Sequence, residues 1–402
     1  MRVSIYGALT VALMFSGCGG GSSSESVQSV SEVRFGEMLF NDTNLSLHRN
    51  MSCASCHNPD HGFIDSRFHA DANDPTHGAL SVGSDALALG GRNAPTAAYA
   101  QFIPEFTQNA QGEYIGGQFH DGRALNLKAQ AKGPFLDSAE MMMPDMQSVI
   151  ERIKERSEYA TIMKNLYGEA ILDDTNVSKT YDKVAQAIAK YEKTEEFAPF
   201  DSKYDRFIEC KASGKGEGAC YEEGDWSIEE QAGYALFFSN NNTNCASCHT
   251  LNSTSEASSK ELFTNYKFEN IGTPRNLQAL QARDGNTTKR DRGLGGFLND
   301  ATHEGKIKVP TLRNVAVTAP YMSNGVFKEL RTVLEFYDHM GVGNRPNNPE
   351  TSAPWGEADF NATINHTLLK ATKELSDSKI KSLEAFLRTL TDRRYEHLLE
   401  RE

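Results

Sequence analysis

Positive charge is scarce in this chain. Its 41 Lys and Arg stand against 54 Asp and Glu, a formal net charge of -13 across 402 residues. A general nucleic-acid binder needs a basic surface, so that class is excluded, while a basic protein partner is permitted. Long apolar runs are also missing. The stretch at residues 3–15 is too short to cross a bilayer as a stable helix. Strand-type alternation is sparse, which leaves a mainly helical reading. Tryptophan occurs only twice, at Trp226 and Trp355. Hydrophobic residues make up 39% and charged residues 24%, the balance of an ordinary globular chain of two or three domains.

What is present begins at the N-terminus. "MRVSIYGALTVALMFSGCGGGSSSES" places Arg2 before the apolar run and "FSGC" after it. This reads as an export signal over 1–17, with Cys18 as the lipidated residue of a bacterial lipoprotein box and 18–31 as a flexible tether. The alternative is a plain secretory signal with Cys18 incidental. Both place the mature chain outside the cytoplasm, and the first anchors it in the periplasm, at the outer membrane, through lipid alone.

Seven cysteines occur. Four fall in one pentapeptide, CASCH, present twice: Cys53, Cys56 and His57, then Cys245, Cys248 and His249. Two thiols three positions apart followed by histidine is the attachment pattern of c-type haem. The thiols add across haem vinyl groups, and the imidazole reaches the iron. A redox disulfide would want a βαβ context, and zinc would want more cysteines nearby; neither is seen. The remaining pair, Cys210 and Cys220, flank a short glycine-rich loop suited to a disulfide in an exported chain.

The haem motifs sit in an internal repeat. "FGEMLFNDTNLSLHRNMSCASCH" and "AGYALFFSNNNTNCASCH" both read as helix, polar loop and motif. Ser227 and Glu230 form a capping box ahead of the second helix. Two copies imply two haem domains, 32–199 and 200–402. Residues 146–168 and 177–193 carry apolar residues at helical spacing. Near the end, Ile380, Leu383, Phe386, Leu387 and Leu390 share one face of a closing helix of cytochrome c type. The expected fold is mainly α, with two cytochrome c-like domains and long irregular loops wrapping the haems.

Three further segments resemble the bacterial di-haem cytochrome c peroxidase family, including its MauG-type, tyrosine-ligated branch. They are "GGRNAPT", "QFHDGRALNLKAQAKGPFLDSAEM" and "VPTLRNVAVTAPYMSNG", in that order. The resemblance runs from about residue 35 to 390. It implies two covalent haems, hydrogen peroxide as substrate, and a protein substrate or small redox donor as partner. It implies a calcium ion between the domains, held at Asn93, Thr318 and Pro320, through oxygens of the kind calcium takes. Glu140 falls on the family's acid–base glutamate beside the N-terminal haem, with Gln130 and Pro134 in the same pocket. A carboxylate there can take a proton from one peroxide oxygen and return it to the other.

Departures from the pattern matter as much. The histidine that blocks the resting iron in the family's peroxidases is replaced by "SVGSD", giving Ser84 or Asp85; His61, His69 and His77 in the same loop are candidate displaced ligands. The inter-haem tryptophan falls on His120, left either to bridge the haems by hydrogen bonds or to act structurally. The histidine of the family's PYxH segment is Ser323. At the methionine that ligates the second haem in the peroxidases, ungapped counting puts Tyr337, with His339 and Met340 close behind. A thioether raises the haem potential, whereas a phenolate is hard and anionic and favours higher oxidation states. Three readings follow: oxidation of a partner protein's residue, such as tryptophan; peroxide detoxification fed by a small cytochrome or copper protein; and a plain di-haem electron carrier. The carrier reading predicts two six-coordinate irons and no distal acid.

Overall fold

The computed structural model describes residues 30–67, 76, 78–251 and 260–401. The export signal, Cys18, most of the tether, His69 and His77 lie outside the described residues.

Helix formation follows local signals. Helix α1 (Glu32–Phe40) starts at Ser31, whose hydroxyl accepts from the Arg34 amide at 3.2 Å. Its Phe35, Leu39 and Phe40 are fully buried. Helix α2 (Leu127–Leu136) is capped by Asn126. The stretch 146–168, read as one helical run, is two helices: α3 (Met146–Lys154) and α4 (Ser157–Tyr167), broken at Glu155 and Arg156. Helix α5 (Val177–Tyr191) closes the first half. The second half uses α6 (Lys203–Ala212), α7 (Ile228–Phe237), α8 (Leu330–Met340) and α9 (Asp377–Arg388). Helix α7 carries the capping box read from Ser227 and Glu230. Strand is confined, among the described residues, to two short antiparallel pairs: β1 (Thr107–Gln108) with β2 (Tyr114–Ile115), and β3 (Phe268–Glu269) with β4 (Ile307–Lys308).

Each half closes in the same way. Helix α1 crosses α5 at Gly36, where a Cβ would overlap the Ala187 carbonyl oxygen. Helix α7 crosses α9 at Gly233, where a Cβ would overlap the Ser382 carbonyl oxygen. The repeat "FGEMLF" and "AGYALF" therefore repeats a helix crossing that only glycine permits. Around these crossings lie two apolar cores. One gathers Phe35, Phe40, Val149, Ile153, Met163, Val184 and Ile188; the other gathers Phe237, Phe336, Ile380, Leu383, Phe386 and Leu390. Leu390 is buried although α9 ends two residues before it. Each such buried side chain contributes about 1.5–3 kcal/mol.

Polar contacts lock the halves together. The Tyr99 hydroxyl donates to Asp392 at 2.6 Å, and Asn314 donates to the other oxygen of Asp392 at 2.7 Å. Arg92 spans Asp121 and Asp291, both at 2.6 Å. Tyr395 donates to the Pro59 carbonyl at 2.8 Å. The irregular segments between helices therefore face one another across a shared seam.

Candidate active site

At that seam lies a cavity of about 930 Å³, lined by both haem motifs. Cys53, Cys56, Cys245 and Cys248 are unpaired thiols. Burial raises all four, Cys56 and Cys248 to about 12. Neutral thiols of this kind oppose a thiolate redox centre, which needs a depressed pKa.

The two histidines are held alike. His57 Nδ1 lies 3.2 Å from the Phe63 carbonyl oxygen, and His249 Nδ1 lies 2.9 Å from that of Phe263. A carbonyl only accepts, so the proton sits on Nδ1 and Nε2 keeps the lone pair that can ligate a metal. Burial lowers both imidazole pKa values, that of His249 to about 4, which keeps them in the neutral, ligating form. Phe63 and Phe263 both have left-handed backbones, φ 55° and 53°. Such strain persists where surrounding structure demands it, and here it aims two carbonyls at two imidazoles. The residues present therefore fit two c-type haems. Phe63 and Phe263 were not singled out from sequence; the signal available was a phenylalanine following each copy of the repeat.

The N-terminal pocket is built by α2 and the turn after it. Pro134 lacks the N–H that would bond the Gln130 carbonyl within α2. Both residues line the cavity. The turn is hooked back onto the helix by Met141 N–H on the Pro134 carbonyl at 3.1 Å and Met143 N–H on that of Phe135 at 2.7 Å. This brings Glu140 into the cavity. Burial, then the neighbouring Asp137 charge, raises the Glu140 carboxyl to about 7, against a smaller opposing pull from Arg123.

Ser84 and Asp85 do not line this cavity. Ser84 is buried; its hydroxyl donates to Asn50 at 2.8 Å, and its N–H donates to the Glu140 carbonyl at 2.8 Å. Asp85 caps its own turn, accepting from Leu87 and Ala88. His61 sits 3.2 Å from Asn58, away from the cavity lining.

On the C-terminal side, α8 separates Tyr337, the residue that sequence counting favours, from His339 and Met340. Tyr337 lines the cavity, where burial raises its phenol well above the ordinary value and Cys248 and Cys245 lie within electrostatic reach. Met340 packs instead beside Gly272, where a Cβ would meet its Cε at 2.6 Å. His339 stacks on Trp355 with ring centroids 5.4 Å apart.

The family model for di-haem cytochrome c peroxidase matches residues 30–213. The chain is 42% identical to the methylamine utilization protein MauG of Paracoccus denitrificans over 370 residues, covering 91% of this chain and 89% of that protein. The chain belongs to the di-haem cytochrome c peroxidase family. It is a peroxidase-type oxidoreductase with two c-type haems. The cytochrome c peroxidase Ccp of Escherichia coli is 28% identical over 73% of this chain and 50% of its own length. The di-haem peroxidase BthA of Burkholderia thailandensis superposes with a TM-score of 0.73 at 28% identity, covering 90% of this chain and 86% of that one.

Within this family frame, the seam holds the remaining site residues. His120 lines the cavity, its Nε2 3.0 Å from the Asn93 carbonyl oxygen. Burial and the Arg92 charge lower it to about 4, so it is a neutral donor. The Asn93 N–H donates to the Ser323 carbonyl at 2.8 Å, which joins the halves beside Thr318 and Pro320. Lys308 lines the same wall, its amide donating to the His120 carbonyl at 2.8 Å. Neither tryptophan lines the cavity: Trp226 packs on Phe207 and Trp355 on His339. Cys210 and Cys220 form a disulfide near the start of the second half, S–S 2.02 Å. Sequence reasoning overlooked Arg92, Lys308 and the fully buried Arg313; Arg92 and Arg313 stand inside the quoted motifs, in "GGRNAPT" and "VPTLRN", and Lys308 directly precedes the second.

Proposed function

We propose that this chain cleaves hydrogen peroxide in its N-terminal half and delivers the oxidising equivalents, through the C-terminal half, to a residue such as tryptophan in a partner protein. The observation that carries this reading is Tyr337 in the cavity beside Cys245 and Cys248, with Met340 turned away onto Gly272. An anionic phenolate ligand suits holding oxidising equivalents, whereas a thioether suits accepting electrons from a cytochrome.

The haems supply the redox chemistry; His57 and His249 would hold their irons, with the cysteines as covalent anchors. Glu140 carries the proton work. Reducing peroxide to two waters consumes two protons and two electrons. Glu140 takes a proton from the nearer peroxide oxygen and returns it to the departing one. Its raised pKa suits it to both directions near neutral pH. Gln130 and Pro134 shape the wall beside it, while Ser84 is spent on Asn50 and the Glu140 backbone.

Asn93, Thr318 and Pro320, where the halves cross, are proposed to hold calcium through amide and carbonyl oxygens. The export-like N-terminus supports a periplasmic, lipid-anchored placement through Cys18.

The test compares acceptors. The purified di-haem protein is given peroxide with reduced small cytochrome c, and separately with exported proteins encoded beside its gene. The proposal expects poor cytochrome turnover and a peroxide-dependent mass change in one of those proteins. Cytochrome oxidation at about 1–1000 per second with no protein modification would establish a conventional detoxifying peroxidase instead.

A further inference from the structure

Tyr266 carries two unfavourable features at once. Its backbone is left-handed, φ 55°, a conformation uncommon for a bulky residue and costing about 1–2 kcal/mol. Its hydroxyl is buried and finds no hydrogen-bond partner among the described residues, which costs about a further 1–3 kcal/mol. Glycine at this position would remove both. Within the polypeptide only the packing of its ring offsets these costs, and nothing among the described residues answers the hydroxyl.

Its placement does. Tyr266 lines the haem cavity. Its backbone belongs to the second haem motif: the adjacent Asn265 N–H donates to the Cys248 carbonyl at 2.9 Å, and Phe263, three residues earlier, holds His249. Its own carbonyl accepts from Gly116 of the first half at 3.0 Å. Its ring packs against the first half's apolar core, as do Cys53 and Ala54. Tyr266 thus starts at one haem motif and ends in the other half. Burial raises its phenol well above the ordinary value, so the group is a hydrogen-bond donor at neutral pH. The groups that would fill this cavity each carry carboxylates, the acceptor this donor lacks.

We propose that Tyr266 is a positioning residue that reaches across the seam and donates its phenolic hydrogen bond to a carboxylate of the haem held in the N-terminal half. This rests on two haems filling the cavity, and not on which molecule is finally oxidised. Donation to that carboxylate partly offsets its negative charge, which favours the reduced iron and raises that haem's midpoint potential.

The experiment is a spectroelectrochemical titration of the di-haem protein and its Tyr266→Phe variant, with thermal unfolding alongside. Expected are a lower midpoint potential for the N-terminal haem, an unchanged C-terminal one, and a lower unfolding temperature, because a satisfied hydrogen bond is lost. Tyr266→Gly, which relieves the backbone, should show the same fall in potential. Unchanged potentials in both variants, or an unfolding temperature that rises in Tyr266→Phe, would overturn the proposal by showing the hydroxyl unsatisfied in the loaded protein. A shift confined to the C-terminal haem would overturn the contact across the seam. Failure of partner oxidation leaves these readouts untouched, so the two proposals fail separately.

Discussion

Replacing Glu140 tests the proton chemistry with a magnitude set by the structure. Burial and Asp137 together bring its carboxyl from the ordinary 4.5 to about 7, a difference of about 3 kcal/mol against ionisation. The sign follows directly. Below pH 7 the acid form dominates and cannot accept the first peroxide proton; above it the carboxylate is available. From a pKa of about 7, the ionised fraction is about one-eleventh at pH 6 and about ten-elevenths at pH 8, a tenfold ratio. The second-order rate constant for peroxide, read by stopped-flow at the Soret band, should therefore rise about tenfold across that window and then level. Glu140→Gln should lower it by about 100- to 10,000-fold and flatten the profile. Asp137→Asn removes the like charge that helps to raise Glu140 and should move the midpoint to lower pH while keeping the plateau. A Glu140→Gln protein that retains both the speed and the slope would refute the assignment of the base. An unmoved midpoint in Asp137→Asn would refute the electrostatic part of the argument.

Three other outcomes are expected. Tyr337→Phe should change the spectrum of the low-spin C-terminal haem, and Met340→Ala should not; the reverse result would make Tyr337 a packing residue. Asp205→Asn should destabilise the fold by about 3–5 kcal/mol in denaturant titrations, because Arg313 and Asp205 form a fully buried ion pair with a second contact at 2.8 Å. Cys210→Ala with Cys220→Ala should lower stability by about 3 kcal/mol by loop-closure entropy over a sequence separation of 10, while peroxide reactivity stays as it was.

The two CASCH motifs stand out in the sequence because covalent haem attachment sets the spacing of two thiols and an imidazole, and in the fold residues of both line one cavity. The helices were legible where burial is one-sided, as along Ile380, Leu383, Phe386 and Leu387. The break between α3 and α4 was not, since Glu155 and Arg156 interrupt the backbone without interrupting the apolar spacing. Among the site residues, counting along the sequence favoured Tyr337 and kept Met340 as the alternative. They lie three apart on one helix, and in the fold Tyr337 lines the cavity while Met340 packs beside Gly272. Phe63 and Phe263 stayed hidden for another reason. They act through backbone carbonyls, and a carbonyl's direction depends on φ and ψ, which side-chain identity does not report.

The two halves share more than a motif. Each has a glycine at its helix crossing, a free thiol pair, and an imidazole oriented by a phenylalanine carbonyl from a left-handed residue. A duplicated scaffold of this kind would give two equivalent haems. The difference is made on the opposite wall of the cavity. In the first half a turn behind α2 delivers an acid whose pKa lies near neutrality. In the second half α8 delivers a phenol beside the cysteines. One wall thereby carries a proton carrier, and the other carries a buried phenol. The proposed division of labour between peroxide cleavage and storage of oxidising power rests on two short segments, 137–143 and 334–340, laid over an otherwise repeated fold.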